Sequence, residues 1–475
     1  MKGFFYAPTS STRLEVRSTI LKFKLNYRFV LRTSYFVPRT SYLVLRTSYF
    51  VPRTSYFVLR TLFSPPYFQS LPCMKQKELI ILFLLAGIQF THILDFMIMM
   101  PLGNYLMPEF GINPGQFSIL LASYPISSFI SGIWMALLAD KFERKSLLLF
   151  TYAGFIIGTA ACGFANSYWL LLLSRIVAGI FGGIIGGQVL SMISDLFSYE
   201  RRGTAMGAVM SAFAVASSVG VTFSLYLVDI FKGDWHVPFL FTALIAVFIW
   251  PLSRYYLPVL QGHLQQGLTT TSRARQLITT LTSRNTGLAL LFSGLMMMGH
   301  FLIIPFINPY MEFNKGYPRS VTPLIYLAGG IASFIAAIFL GRFADRVGKL
   351  KVFVYCVPLS FVMVILITNM PALPFSLVLF FFAIWFALAT GRAVTSQTMV
   401  SNVTGSSGRG SFMSLNSSIQ HLGTGAAALI SGLIIQEDRQ HRLYHYEWVG
   451  YLSVLILLLG LLLGIYLFKG VDRKK

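Results

Sequence analysis

The stretch ALLADKFERKSLL, Ala136 to Leu148, has a second copy in the same chain: GRFADRVGKLKVF, Gly341 to Phe353. Each copy ends one apolar run, places an aspartate before basic residues, and leads into the next apolar run. Asp140 and Asp345 occupy matching positions and are 205 residues apart. A charged turn that recurs at this distance indicates a chain built from two similar halves.

The regions between the charged segments are apolar over lengths that suit a lipid bilayer. Hydrophobic residues make up 55% and charged residues 11% of the 475-residue chain, whereas soluble domains carry about a quarter charged residues. The apolar residues form blocks of roughly 20, enough for a helix to cross a hydrocarbon layer of about 30 Å. This composition predicts an all-α polytopic membrane protein.

The cysteines do not form a pattern that binds metal. Cys73, Cys162 and Cys356 belong to no CxxC or Cys/His cluster, which argues against a disulfide framework or a zinc site. We find no Ser/His/Asp set and no nucleotide-binding loop in an aqueous segment. The sequence therefore predicts no metal, no cofactor and no enzymatic activity.

Twelve apolar runs after Met74 are predicted to span the membrane. On this topology twenty Lys and Arg residues fall on one side and five on the other, and the positive-inside rule assigns the basic side to the cytoplasm. Both termini are therefore expected in the cytoplasm. The predicted spans are 79–101, 117–138, 147–164, 168–193, 204–228, 237–257, 287–307, 321–339, 352–367, 375–394, 411–435 and 449–467.

The longest internal connection divides these spans into two sets of six. It is polar and basic, with LQQGLTTTSRARQ at its centre. We predict an N-terminal six-helix bundle at 74–263, a cytoplasmic linker at 264–284 and a C-terminal six-helix bundle at 285–475.

Residues 1–73 differ in kind from the rest of the chain. A seven-residue repeat, RTSYFVP and its variants, begins at Arg32, and its prolines do not suit a coiled coil. We interpret the segment as a spurious or disordered extension before a start at Met74, and a transit peptide is the alternative. Its eleven Lys and Arg and the single acid Glu15 supply +10 of the +22 net charge. The high charge is therefore no sign of nucleic-acid binding.

From Met74 onward the chain resembles the major facilitator superfamily, in its twelve-span drug:proton antiporter and sugar-efflux-like branch. The family's loop between the second and third spans reads roughly G-x-L-A-D-R-x-G-R-K. Ala136 and Glu143 stand where that pattern has glycines, whereas the second copy has Gly341 and Gly348. The resemblance implies twelve transmembrane helices in two pseudo-symmetric six-helix bundles, the major facilitator fold.

The two charged turns are predicted to form a conformational latch on the cytoplasmic side. Asp140 and Arg144 can pair with each other and with the dipole of a helix end from the other half. The alternative is a solvated loop whose ion pairs each contribute less than about 1 kcal/mol, and the repetition favours the latch. The candidate latch residues are Asp140, Arg144, Lys145, Asp345, Arg346 and Lys349.

The fourth predicted span, YWLLLLSRIVAGIFGGIIGGQ, combines an arginine with many glycines. Arg175 followed by Gly179 resembles the family's arginine-bearing motif. The small-xxx-small spacing predicts close helix packing at Gly182, Gly183, Gly186 and Gly187. The fifth span, with SSVGVTFSLYL, lacks the proline of the Gly-Pro-rich motif usual in antiporters of the family.

An ionisable residue lies inside the first predicted span, 79–101, in the stretch QFTHILDFMIMMPLG, Gln89 to Gly103. A charge at this depth costs about 2.5–3.5 kcal/mol, so Asp95 needs a partner or a cavity. Arg175 lies at a similar depth, roughly 10 Å below the outer surface at ~1.5 Å per residue. We predict a proton-coupling site made of Asp95, Arg175 and, one turn away, His92; the alternative is a permanent structural ion pair.

Further polar residues within the spans are candidates for a substrate cavity. They are Gln89, His300, Arg392, Asn416 and Gln420.

These features predict a secondary transporter that works by alternating access, with proton-coupled efflux of a small solute as the leading hypothesis. An uptake symporter or facilitator for a sugar or organic ion is the alternative, and a non-transporting membrane sensor is a third class. The expected partners are a small-molecule substrate, protons and the lipid bilayer, without nucleic acid, and the expected state is a monomer. We expect a multi-pass protein of a bacterial cytoplasmic (inner) membrane.

Overall fold

The structure, a computed structural model, describes residues 76–138, 141–197, 199–260, 278–279, 281–404 and 409–470. Met74–Lys475 forms one compact unit. The predicted extension at 1–73 lies outside the described residues, and the residue limits of the two bundles stay a prediction. Below, "outer" and "cytoplasmic" follow the orientation predicted from the charges.

The described chain is almost entirely helical, and eleven of its helical segments are long and apolar enough to cross a membrane. Spans 1, 5 and 7 are interrupted helices, whereas the other spans are continuous. Spans 1–4 are Gln76–Phe110, Pro114–Leu138, Arg144–Gly163 and Tyr168–Leu196; spans 5–8 are Tyr199–Ile230, His236–Tyr256, Arg284–Asn314 and Pro323–Val347; spans 9–12 are Lys349–Asn369, Phe375–Val400, Arg409–Ile434 and Tyr446–Phe468.

Span 11 is the helix that does not reach the hydropathy of the other eleven. Its 26 residues are enough to cross the bilayer, but polar residues such as Asn416, Gln420 and His421 lower its mean hydropathy. A helix of this kind avoids lipid by packing on protein. Span 11 packs along span 2, where Gly432 and Gly425 lie against Ser118 and Ile126.

The outer ends of spans 1 and 7 break in the same way. In span 1 the helix Gln76–Ile98 gives way to a 3-10 turn at Met100–Leu102 and a short helix at Gly103–Phe110. In span 7 the helix Arg284–Phe301 is followed by turns at Ile304–Phe306, Ile307–Pro309 and Tyr310–Asn314. Each break contains a proline, which removes a helical hydrogen bond.

Span 5 contains a π-helical turn at Ala216–Gly220, between helices Tyr199–Val215 and Val221–Ile230. This turn approaches span 8 so closely that a Cβ on Gly330 would lie 1.6 Å from the Cβ of Ser218. Because the two spans belong to different sets of six, a side chain at Gly330 would force those sets apart.

The outer loop between spans 11 and 12 forms a two-stranded antiparallel hairpin. Gln436–Glu437 pairs with Leu443–Tyr444, with Gln436 opposite Tyr444. Asn314 at the end of span 7 holds this hairpin: its Nδ2 donates to the Leu443 carbonyl at 2.7 Å, and its Oδ1 accepts from the Leu443 amide at 2.9 Å. The hairpin therefore extends the outer end of span 7.

Candidate functional site

Asp95 and Arg175 form a fully buried ion pair between spans 1 and 4. Arg175 Nη1 donates to Asp95 Oδ2 at 2.8 Å and to the Asp95 backbone carbonyl at 3.2 Å. Neither side chain is exposed by more than 1%. The structure thus brings together the two residues that were predicted to lie at the same depth in the membrane.

The pair is incompletely hydrogen-bonded. Among the described residues, Asp95 Oδ1 and Arg175 Nε make no hydrogen bond of good geometry, and the same holds for the hydroxyl of Thr159, which lies near the Asp95 carboxylate. Tyr124 lies under the guanidinium, with Arg175 Cζ 4.6 Å from its ring centroid, and its own hydroxyl is also unpartnered. A buried carboxylate oxygen that accepts no hydrogen bond can bind a proton, because protonation neutralises the charge that is costly to bury.

Two glycines of span 4 let it contact span 2 through the backbone. A Cβ on Gly179 would lie 2.1 Å from Ser127 Oγ and 2.5 Å from the Tyr124 carbonyl, and one on Gly183 would lie 2.5 Å from the Ser128 carbonyl. Ser128 Oγ also donates to the Gly179 carbonyl at 2.9 Å. This contact fixes the depth of Arg175, which precedes Gly179 by one helical turn.

The packing prediction is correct for some glycines of span 4 and wrong for others. Gly182 makes room for Tyr124, whose hydroxyl would be 2.1 Å from an added Cβ. Beyond Gly186 and Gly187, the nearest atoms to an added Cβ are 3.9 Å away. These two glycines therefore leave room for a Cβ beside Gln89 and Ser414 and do not mark a close helix contact.

His92 lies one turn from Asp95, among aromatic rings. Its ring centroid is 6.2 Å from that of Tyr124 and 6.0 Å from that of Phe155. Neither ring nitrogen has a hydrogen-bond partner among the described residues. A proton relay between His92 and Asp95 would therefore require water or a side-chain movement.

Arg392 and His300 lie close together between spans 10 and 7. Arg392 is 3% exposed, and its Nη1 and Nη2 have no hydrogen-bond partner among the described residues. The imidazole of His300 lies within electrostatic range of Arg392 and 5.1 Å from the ring of Trp385. The sequence-predicted cavity residues thus include a buried guanidinium whose terminal nitrogens are unpaired in the described part of the chain.

The other predicted cavity residues lie on spans 1 and 11. Gln420 Nε2 donates to Gln397 Oε1 at 3.2 Å, which links spans 11 and 10. Asn416 is buried, and both polar atoms of its side chain lack partners within the described chain. Gln89 is partly exposed and its Oε1 is unpartnered there as well.

The described latch residues of the first copy contact their own half of the chain. Asp140 lies outside the described residues, so its predicted pairing with Arg144 stays a prediction. Arg144 Nε donates to Asp195 Oδ2 at 3.2 Å, which ties the start of span 3 to the cytoplasmic end of span 4.

The second copy of the latch is more exposed. Lys349 Nζ lies 4.0 Å from Asp345 Oδ1, a loose pair that crosses the turn between spans 8 and 9. The side chain of Arg346 is exposed.

Glu143, which stands where the family pattern has glycine, caps span 3. Its carboxylate accepts hydrogen bonds from the amides of Lys145, Ser146 and Leu260 at 2.7–2.9 Å. Partial burial raises the pKa of Glu143, but the hydrogen bonds from Leu260, Ser146 and Lys145 outweigh it and leave the pKa lowered. The equivalent Gly348 has a φ of +120°, so the second copy requires glycine where the first uses a side chain.

Polar contacts close the outer side, and our sequence reasoning missed them. Asn308 Nδ2 donates to the Pro101 carbonyl at 3.0 Å. Glu312 accepts hydrogen bonds from Asn104 and from Arg319. We call these five residues the outer closure. The sequence contains a signal for this closure, because the motif Pro-x-x-Asn occurs twice, as Pro101-x-x-Asn104 and Pro305-x-x-Asn308. The two copies are separated by nearly the same distance along the chain as the two charged turns.

Long apolar helices in two sets, with buried charges between them and a closed outer side, define a membrane transporter of the secondary type. The family model of the Major Facilitator Superfamily matches residues 85–294 and 289–475. The chain therefore belongs to the Major Facilitator Superfamily.

Individual relatives agree with this assignment. The uncharacterized MFS-type transporter YceJ of Bacillus subtilis is 20% identical over 79% of this chain and 94% of its own length. The uncharacterized MFS-type transporter YhcA of the same organism is 29% identical, but the match spans only 35% of this chain and 30% of that protein. A crystal structure of a mutant of the nucleoside transporter NupG is 12% identical, with a TM-score of 0.67 over 83% of this chain and 100% of that one; this similarity concerns the fold alone.

Proposed function

We propose that this protein exports a small solute in exchange for protons, by alternating access, with Asp95 as the proton-binding residue. The observation that carries the proposal is the buried Asp95–Arg175 pair, whose second carboxylate oxygen makes no hydrogen bond of good geometry among the described residues. Ionisable groups inside a membrane are functional by default, since they are costly to keep there.

The pair can change its affinity for a proton as the two sets of spans move. With Arg175 Nη1 at 2.8 Å from Asp95 Oδ2, the guanidinium stabilises the ionised carboxylate. Separation of the two groups in a water-poor interior favours the protonated acid. A movement of span 1 against span 4 would therefore couple proton uptake to conformational change.

The difference between the two ends of the protein supports alternating access. At the outer end, Leu102 and Phe306 are completely buried and the outer closure joins spans 1 and 7. Nearer the cytoplasm, Gln89, Gln397 and Gln420 are partly exposed. We interpret this arrangement as a state that is closed to the outside and accessible from the cytoplasm.

The test uses the full chain in liposomes with an acidic interior and a pH-sensitive dye. Addition of cationic dyes, antibiotics, sugars and organic anions one at a time should identify a compound that dissipates the pH gradient. Asp95→Asn should abolish this response, and Glu447→Gln, at the outer end of span 12 with a side chain 41% exposed, should leave it unchanged. Exchange of labelled substrate without a gradient checks that Asp95→Asn is folded.

Proton-driven transport by Asp95→Asn at the wild-type rate would refute the proposal. The direction of the pH response separates export from the second candidate, uptake symport. That candidate has one structural observation in its favour: span 5 carries a π-helical turn at Ala216–Gly220 instead of the family's Gly-Pro motif. A compound that acidifies the compartment it enters would favour symport.

A further inference from the structure

The unpaired guanidinium of Arg392 carries a positive charge deep in the protein. Arg392 precedes the cytoplasmic end of span 10, Val400, by eight residues, or about 12 Å of helix. It is 3% exposed, and both terminal nitrogens lack a hydrogen-bond partner among the described residues. A buried cation is normally paired, because an uncompensated charge is expensive away from water.

His300, which lies within electrostatic range of Arg392, and its neighbour Trp385 are also donors of hydrogen bonds. Trp385 Nε1 and His300 Nδ1 are buried atoms without partners in the described chain. The indole can only donate, and the imidazole Nδ1 donates in one of its two neutral tautomers. The thiol of Cys356, which also lies within electrostatic range of Arg392, is a weak hydrogen-bond donor. We call Arg392, Trp385 and His300 the donor cluster.

Apolar aromatic surface adjoins this cluster. The ring of His300 lies 5.4 Å from that of Phe301 and 6.5 Å from that of Phe386, and the ring of Trp385 lies 4.8 Å from that of Phe386. A ligand held at the donor cluster would therefore have aromatic surface beside it. Hydrogen-bond donors beside apolar walls are typical of sites for small molecules.

We propose that the donor cluster binds the carboxylate of an amphiphilic organic monoanion, which is the transported substrate; this inference rests on the proposed transport function. A carboxylate accepts two parallel hydrogen bonds from a guanidinium, here from the two unpartnered nitrogens. Its single negative charge matches the single positive charge of Arg392, whereas a phosphate would bring an excess of negative charge into the membrane interior. The apolar body of the anion packs on Phe301 and Phe386.

The experiment measures binding to the full chain in detergent by calorimetry, with matched acid and amide probes. The probes are 2-naphthoate and decanoate, each compared with its neutral amide. Wild-type protein should bind at least one acid tenfold to a hundredfold more tightly than its amide, roughly the range expected for hydrogen bonds to a charged group. Arg392→Gln should remove this preference, and Arg392→Lys should restore part of it.

Arg254→Gln is the matched control, since this guanidinium is exposed at the cytoplasmic end of span 6, outside both the donor cluster and the outer closure. It should keep the wild-type preference for acid over amide. Equal binding of acid and amide by the wild type, or a preference that survives in Arg392→Gln, overturns the inference. A loss of protein stability in Arg392→Gln would not by itself make the acid and the amide bind with equal affinity.

The Asp95→Asn variant separates this inference from the proposed function. It should retain the preference for acid over amide while losing proton-coupled transport. If the preference depends on Arg392 but proton coupling survives Asp95→Asn, the proton site fails and the anion site stands. If Asp95→Asn abolishes coupling but the preference is absent or independent of Arg392, the anion site fails alone.

Discussion

The protein holds two buried arginines in two different ways. Arg175, among the first six spans, bonds Asp95 at 2.8 Å and lies over the ring of Tyr124. Arg392, among the last six spans, has no partner at either terminal nitrogen within the described chain. The first arrangement is internally neutral, whereas the second leaves its charge without a partner in the described chain. Two similar halves of one sequence therefore hold their buried arginines differently.

The largest expected effect comes from removal of each arginine in turn. Arg175→Met leaves the Asp95 carboxylate without its partner, and breaking a buried pair in this way costs about 3–5 kcal/mol. Arg392→Met removes a buried cation whose terminal nitrogens have no hydrogen-bond partner among the described residues, so we expect the stability to stay constant or rise. The thermal midpoints of the full-length variants in detergent compare the two.

A double variant checks the cause of the Arg175 effect. Asp95→Asn combined with Arg175→Met should recover part of the lost stability, because no unpaired charge remains. Equal losses of stability in Arg175→Met and Arg392→Met would contradict the comparison, because they would show that the two arginines contribute to stability in the same way.

The next effect concerns the glycines beside the two arginines. Gly179→Ala would place a Cβ 2.5 Å from the Tyr124 carbonyl, which is backbone and cannot move alone; overpacking of this kind costs about 1–3 kcal/mol. At Gly391 the nearest atoms are Leu340 Cδ1 at 2.5 Å and Cys356 Sγ at 2.9 Å, both side-chain ends. We therefore expect a smaller loss for Gly391→Ala, measured by the same thermal midpoints.

Gly187→Ala serves as the control for these substitutions. Its added Cβ meets nothing closer than 3.9 Å, and alanine is favoured over glycine in a helix by about 0.8–1.0 kcal/mol. Its thermal midpoint should rise or stay constant. A fall as large as that of Gly179→Ala would mean that glycine is needed along the whole stripe, not only at its contact with span 2.

A third difference separates the two charged turns. Gly348 has a φ of +120°, so Gly348→Ala should cost about 1–3 kcal/mol through backbone strain. Glu143 has a φ of −63° at the matching position, and Glu143→Ala should cost only its capping bonds, about 1 kcal/mol. Unfolding of the two full-length variants, followed by circular dichroism, ranks these losses; the reverse order would contradict the assigned backbone roles.

The smallest effect is a pH dependence at Glu143. The lowered pKa of this group means that its contribution is present above the unfolded pKa of about 4.3 and is lost as the pH falls through the folded value. The difference in thermal midpoint between wild type and Glu143→Gln should therefore shrink on acidification from neutral pH. A difference that grows with acidification would show that the folded pKa is raised.

Sequence reasoning located the charges well because depth in a membrane can be counted along a helix. The match between Asp95 and Arg175 needed only the distance of each from its span's outer end. The face of each helix is harder to infer, since it depends on packing against other spans. For this reason Gly186 and Gly187 were assigned to a close contact, although an added Cβ there would make only ordinary contacts at 3.9 Å.

The outer closure was missed for a different reason. Its hydrogen bonds join irregular turns after Pro101 and Pro305, and the conformation of such turns is set by contacts between distant parts of the chain. The π-helical turn at Ala216–Gly220 likewise has no signature in the sequence. The repeated Pro-x-x-Asn could have been recognised by the search that found the two charged turns.

The position of Arg392 also has an electrical consequence. An elementary charge that crosses a whole membrane gains or loses about 2.3 kcal/mol per 100 mV. While Asp95 is ionised, the Asp95–Arg175 pair has no net charge to respond to such a field, but the guanidinium of Arg392 does. If span 10 changes its tilt while the cavity is empty, it carries positive charge through part of the voltage drop. At the proposed anion site a bound monoanion cancels the charge of Arg392, so the membrane potential acts more strongly on the return of the empty carrier than on the loaded one.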